Sequence, residues 1–167
     1  MKVNIPESGV EFGPFDAANI FHIEKSPAVT ALGTGIKKVE FILMRSTPQG
    51  STVCFIEAKS SIPRETTAFF GDIKTKMIHS LTLWLLAVVK RQPAVQRELP
   101  PALRHVADVA KPCMLILVIP PMPSHALVGA SDKFRKVMGA DLRLWNIAAQ
   151  NVRVLNEEKA RLYGLVA

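Results

Sequence analysis

Apolar and polar positions alternate from Lys38 to Arg45 and again from Thr52 to Lys59, and the residues between, Ser46-Thr47-Pro48-Gln49-Gly50-Ser51, are rich in turn formers. Two alternating runs around such a loop predict an antiparallel hairpin. After Pro63 the period changes. Phe69, Phe70, Ile73, Met77, Leu81, Trp84, Leu85 and Val88 recur at helical spacing, so a helix is expected from a cap at Thr66 or Thr67 to about Arg91, ended by Pro93. Its second half is apolar nearly all round, which implies burial against a sheet. Met114 to Ile119 is a continuous apolar run, the pattern of a central strand covered on both faces.

The remaining segments give shorter signals. The first twenty residues carry Pro6, Gly9, Gly13 and Pro14 and read as irregular. Phe21 to Lys25 reads as a short strand or a helix end, and Ala28 to Leu32 as one helical turn. Pro100-Pro101 predicts a helix to about Ala110 with Leu103, Val106 and Ala107 inward, and another helix is expected around Ser131 to Met138. Leu142 to Ile147 and Val152 to Leu155 are strand candidates. Asn156 then caps a last helix, with Glu157 and Glu158 in its first turn and Gly164 at its end. A hairpin, a long helix, a buried strand and further alternating elements predict an α/β fold, a mixed sheet flanked by helices.

At 167 residues the chain is expected to form one domain spanning residues 1–167. Hydrophobic residues at 49% and charged residues at 21% exclude a disordered chain. A net charge of +7 favours an anionic partner such as nucleic acid, and its basic residues are dispersed rather than gathered in a tail. Cys54 and Cys113 lie in apolar runs and read as small buried hydrophobes of a reducing compartment. The apolar stretch from Leu81 to Val89 is too short to span a bilayer, and the first residues lack a signal-peptide core, so a cytoplasmic location without membrane contact is expected.

The candidate chemistry lies at the end of the second hairpin strand. In Val53-Cys54-Phe55-Ile56-Glu57-Ala58-Lys59, alternation puts Glu57 and Lys59 on one face and Cys54, Ile56 and Ala58 on the other. Such a pair reads either as a strand-end ion pair contributing about 0–1 kcal/mol or as a working carboxylate and ammonium. Antiparallel pairing brings Glu40, at the start of the preceding strand, beside them. A glutamate between Val39 and Phe41 is unfavourable unless it forms a salt bridge, to Lys59 or Arg45, or binds a cation. Glu24, next to Ile23, approaches from the preceding segment. Carboxylates of this kind with a lysine suit Mg2+ or Mn2+, hard ions that take oxygen ligands and keep several waters.

Glu57-Ala58-Lys59, the hairpin acid Glu40 and the upstream acid Glu24 together resemble the PD-(D/E)xK nuclease superfamily, which includes restriction endonucleases and DNA-repair nucleases. The long helix after Pro63 and the run Met114 to Ile119 match the rest of that core, and the resemblance covers roughly residues 20 to 120. The family's Pro-Asp before the hairpin strand is absent, Glu40 following Val39 instead. Ile56-Glu57-Ala58-Lys59-Ser60-Ser61 is also similar in wording to a small bacterial branch.

The resemblance implies a restriction-endonuclease-like sheet whose hairpin carries the site, and Mg2+- or Mn2+-dependent hydrolysis of nucleic-acid phosphodiester bonds, DNA more than RNA. Glu24, Glu40 and Glu57 would hold the metal, and Glu57 and Lys59 would be catalytic. It leaves the oligomeric state open. The alternative is a non-catalytic module on the same fold that binds nucleic acid or protein; a role in an effector or toxin system would use the same local chemistry.

Other chemistries find little support. His22, His79, His105 and His125 are isolated, Gly33-Thr34-Gly35 lacks the third glycine of a dinucleotide loop, and no Gly-x-Ser-x-Gly or phosphate-binding P-loop occurs. Trp84 and Trp145 read as core residues, on a helix and a strand.

Overall fold

The computed structural model describes residues 1–167. The hairpin forms as β4 (Phe41–Thr47) and β5 (Gly50–Ala58), paired from Phe41↔Ile56 to Thr47↔Gly50 around a turn at Pro48-Gln49. β6 (Cys113–Val118) runs parallel to β5, and β7 (Val152–Leu155) runs parallel to β6. With β3 (Ile20–Phe21) at the other edge, the five-stranded mixed sheet has the order β3-β4-β5-β6-β7. Both faces of β6 are covered, in keeping with its unbroken apolar run.

Side-chain alternation divides the interior into two cores. Ile42, Met44, Val53, Phe55, Leu115 and Leu117 face α2 (Thr66–Val88) and α4 (Leu127–Leu144), where Phe70, Ile73, Met77, Leu81, Trp84 and Phe134 meet them. Phe41, Leu43, Cys54, Ile56 and Ile116 face the opposite layer. That layer is a ribbon of β1 (Lys2–Glu7) and β2 (Val10–Asp16), together with α5 (Glu157–Leu162) and the residues after it.

The ribbon corrects the expectation of an irregular N-terminus. Ile5, Val10, Phe12 and Phe15 enter the second core, while Ser8 and Gly9, both at positive φ, make the tight turn between the strands. Proline is tolerated here because a two-stranded ribbon is all edge. Gly13 has φ +114°, and a Cβ there would lie 2.7 Å from the Val3 carbonyl oxygen. Gly13→Ala is therefore expected to destabilise the protein by roughly 2 kcal/mol or more. Chemical denaturation checks this; an unchanged midpoint would show that the ribbon contributes little.

The C-terminal segment closes against the ribbon. The Gly13 N–H donates to the Leu165 carbonyl at 3.0 Å, Phe12 and Val166 form a β-bridge, and Tyr163 lies between the Arg45 and Arg153 guanidiniums, 4.9 and 5.1 Å from its ring centre.

Other expectations shift at element ends. α2 is capped by the Glu65 carboxylate, which accepts from the Thr67 and Ala68 N–H groups at 2.9 and 2.8 Å, and not by a threonine. Pro93 does not simply end helical structure; it opens α3 (Pro93–Glu98). The helix expected from Pro100 is two separate 3-10 turns, Pro101–Leu103 and Val106–Ala110, and Val106 is 65% exposed. Leu142 to Ile147 is not a strand, because α4 runs through to Leu144 and turns at Trp145, which packs half-buried against the first core. Phe21–Lys25 divides between β3 and a 3-10 turn, Ile23–Lys25, followed by α1 (Pro27–Thr30). No helix is long and apolar enough to cross a membrane.

Candidate functional site

The segment entering β4 is fixed to α2 before it joins the sheet. The Val39 N–H donates to Ser80 Oγ at 3.0 Å, the Lys37 N–H to His79 Nδ1 at 3.0 Å, and the Lys37 ammonium pairs with Asp72. Glu40 stands just outside the paired register, which ends at Phe41↔Ile56; its N–H donates to the Ile56 carbonyl at 3.1 Å, which holds it near Glu57. It lies between Val39, which enters the first core, and Phe41, which enters the second. The Lys59 N–H donates to the Val118 carbonyl at 2.9 Å, so the lysine is held by an extension of the β5–β6 ladder.

Glu57 is fully buried. Its Oε1 accepts from the Lys59 ammonium at 2.8 Å and the Lys76 ammonium at 2.7 Å, while Oε2 is buried without a hydrogen-bond partner. Burial pushes the Glu57 carboxyl up, and the two ammoniums oppose that rise without cancelling it. For Lys59 burial works downward, but the hydrogen bond and charge of Glu57 outweigh it and leave its pKa raised.

Glu40 is 3% exposed and belongs to a second group of acids. Carboxylate oxygens of Glu7, Glu24 and Glu40 all lie within 4.8 Å of one another. Burial, the hydrogen bond with Glu24, and the charges of Glu57, Glu24 and Glu7 push Glu40 up to about 9. The same hydrogen bond, from Glu40, lowers Glu24. At neutral pH the pair therefore shares one proton in the metal-free protein. Glu40 Oε2 is buried and, like Glu57 Oε2, has no partner.

Of the acids expected to hold a metal, Glu24 and Glu40 lie in this cluster. Glu57 is beside them on the next strand, engaged by two lysines. The cluster's third member is Glu7, which sequence reasoning did not single out. Its signal was the alternation of Val3 and Ile5, then Val10 and Phe12, around Ser8-Gly9. Lys76 was also missed as a site residue; it lies three residues after Ile73 and four before Ser80, on the inward side of α2, where a lysine needs a buried anion. Neither partner of Glu57 nor of Glu40 is Arg45, which lies against Tyr163.

The donors are all carboxylate oxygens, the set that suits a hard divalent cation. A buried carboxyl held protonated among other carboxylates is the arrangement in which a cation replaces a proton. The residues fit Mg2+ or Mn2+ on that ground. Cys54 and Cys113 are free thiols away from this group; burial raises them to about 12 and about 11, which makes both inert at neutral pH. No family model, curated protein or solved structure matches the chain.

Proposed function

We propose that this chain is a divalent-cation-dependent nuclease-like protein of PD-(D/E)xK organisation, acting on nucleic-acid phosphodiester bonds in the cytoplasm, DNA more than RNA. The observation that carries this reading is the convergence of four glutamates and two lysines at one end of the central hairpin. Two of those glutamates, Glu40 and Glu57, are buried with an unpartnered oxygen each. The order of hairpin, long helix and parallel strand agrees with the restriction-endonuclease-like core.

Mg2+ bound here would polarise the scissile phosphate and acidify a water. Glu40 and Glu24 would hold it, with the free Oε2 of Glu57 reaching it directly or through water. Lys59, with a third of its side chain exposed, would orient the attacking water or stabilise charge on the phosphate. Lys76, less exposed, would keep its hold on Glu57 while Lys59 engages substrate. Dispersed lysines and arginines supply the backbone contacts.

Lys59→Ala is expected to reduce cleavage at least about a hundredfold while changing nucleic-acid affinity only modestly, because most affinity comes from phosphate contacts elsewhere. The test measures cleavage of single- and double-stranded DNA and RNA with Mg2+ and Mn2+, and binding by fluorescence anisotropy. A wild-type protein that cuts none of these substrates would make the non-catalytic binding module the better account.

A further inference from the structure

We propose that Glu7 is a ligand of the divalent cation and that the bound cation locks the β1–β2 ribbon onto the main sheet. The inference rests on the cation seat of the preceding reading and not on cleavage. Glu7 lies outside the hairpin core that carries the nuclease resemblance, as the last residue of β1, where Glu7 pairs with Val10 across the Ser8-Gly9 turn.

The rest of the ribbon docks through apolar side chains, Ile5, Val10, Phe12 and Phe15, in the second core. Glu7 instead brings a half-buried carboxylate to within 4.8 Å of the Glu24 and Glu40 carboxylates. No lysine or arginine forms an ion pair with any of the three; the nearby Lys59 and Lys76 ammoniums both sit on Glu57. His22, half-buried beside the group, makes no ion pair with any of the three either.

The three carboxyl groups converge with no basic side chain paired to any of them. A divalent cation attracts all three acids at once. The second sign of a ligand is Glu40 itself, whose side chain is almost wholly buried inside the cluster with Oε2 unpartnered. Three carboxylate oxygens from three separate segments, with water completing the shell, make a seat for Mg2+ or Mn2+. Its closure requires the ribbon to be docked, so occupancy and docking are thermodynamically linked.

This linkage predicts two effects of opposite sign for Glu7→Gln. Without metal the variant should melt no lower than wild type, because a like charge has been removed. With metal, its half-saturating Mn2+ concentration should rise about tenfold. The ribbon, residues 2–16, should gain hydrogen-exchange protection from Mg2+ or Mn2+ in wild type and lose that gain in the variant. Glu7→Asp, which keeps the charge on a shorter arm, should fall between them, and it also serves if Glu7→Gln does not fold. Glu11→Gln, an exposed position on the same ribbon hydrogen-bonded only to Asn4, is the control and should respond as wild type.

The proposal is overturned if neither cation shifts the melt at millimolar concentration, if Glu7→Gln and Glu7→Asp saturate at the wild-type concentration, or if ribbon exchange is blind to metal. Cation binding that depends on Glu7 without any cleavage would keep this inference and remove the nuclease reading. Cleavage with a cation response indifferent to Glu7 would do the reverse.

Discussion

Glu40→Gln is expected to stabilise the metal-free protein by up to about 3 kcal/mol at pH 7 and to flatten its stability between pH 5 and 9. The cause is a folded-state pKa of about 9 against an ordinary value of 4.5. Below pH 4.5 the carboxyl is protonated in both states and contributes no pH dependence. Between 4.5 and 9 the folded protein holds a proton that the unfolded chain has released, so stability falls as pH rises. Above 9 both states are ionised and the loss stops growing. Glutamine has no such proton to hold, and its amide can still donate to Glu24. Urea melts in EDTA from pH 5 to 9 measure the effect. Parallel wild-type and variant curves would show that Glu40 titrates normally and that its crowding by Glu24, Glu57 and Glu7 has little energetic weight. The same variant should respond less to Mg2+, since the group that exchanges a proton for a cation is gone.

Glu57→Ala is expected to destabilise the fold by about 3–5 kcal/mol, the usual range for removing one partner of a buried ion pair. The carboxylate is fully buried, and two ammoniums contact one of its oxygens. Without it the two ammoniums are left facing each other with no anion between them. The remedy is specific: Lys76→Met added to Glu57→Ala should recover a large part of the loss, because it removes the more buried of the two orphaned charges. A double-mutant cycle in denaturant reads the coupling. Additive losses would mean that Glu57 and Lys76 are energetically independent despite their 2.7 Å contact.

These two acids also mark the boundary of what was legible in the sequence. Period-two alternation around the Pro48-Gln49 turn fixes which side chains oppose each other as far as Phe41 and Ile56, so the approach of the flanking Glu40 and Glu57 was legible in the hairpin. The apolar run at Met114 and the stripe of α2 were equally legible, because burial on two faces or on one stripe leaves a periodic trace.

Glu7 and Lys76 reach the site through tertiary docking, of a ribbon in one case and a helix rotation in the other, and no local period records that. Prolines and glycines masked the ribbon, since they are usual in loops yet acceptable in an exposed two-stranded edge. Leu142 to Ile147 misled for the converse reason: an amphipathic helix end and a short strand look alike over six residues. Around Pro100 the repeated prolines favour 3-10 turns, whose short periods a helical stripe does not describe.

The hydrogen bond from Gly13 to Leu165 and the bridge from Phe12 to Val166 join two segments that leave the ribosome at very different times. Residues 2–16 emerge well before residues 160–166, and the second core that both fill is not complete until the latter have followed. Between those events Phe12 and Phe15 can pack on Phe41 of the β4–β5 hairpin, with ring centres 5.3 and 5.7 Å apart, but lack the C-terminal part of their core. The ribbon is thus made well before the segment that completes its core. Glu7 travels with the ribbon, so the group of acids is complete only once the ribbon has docked.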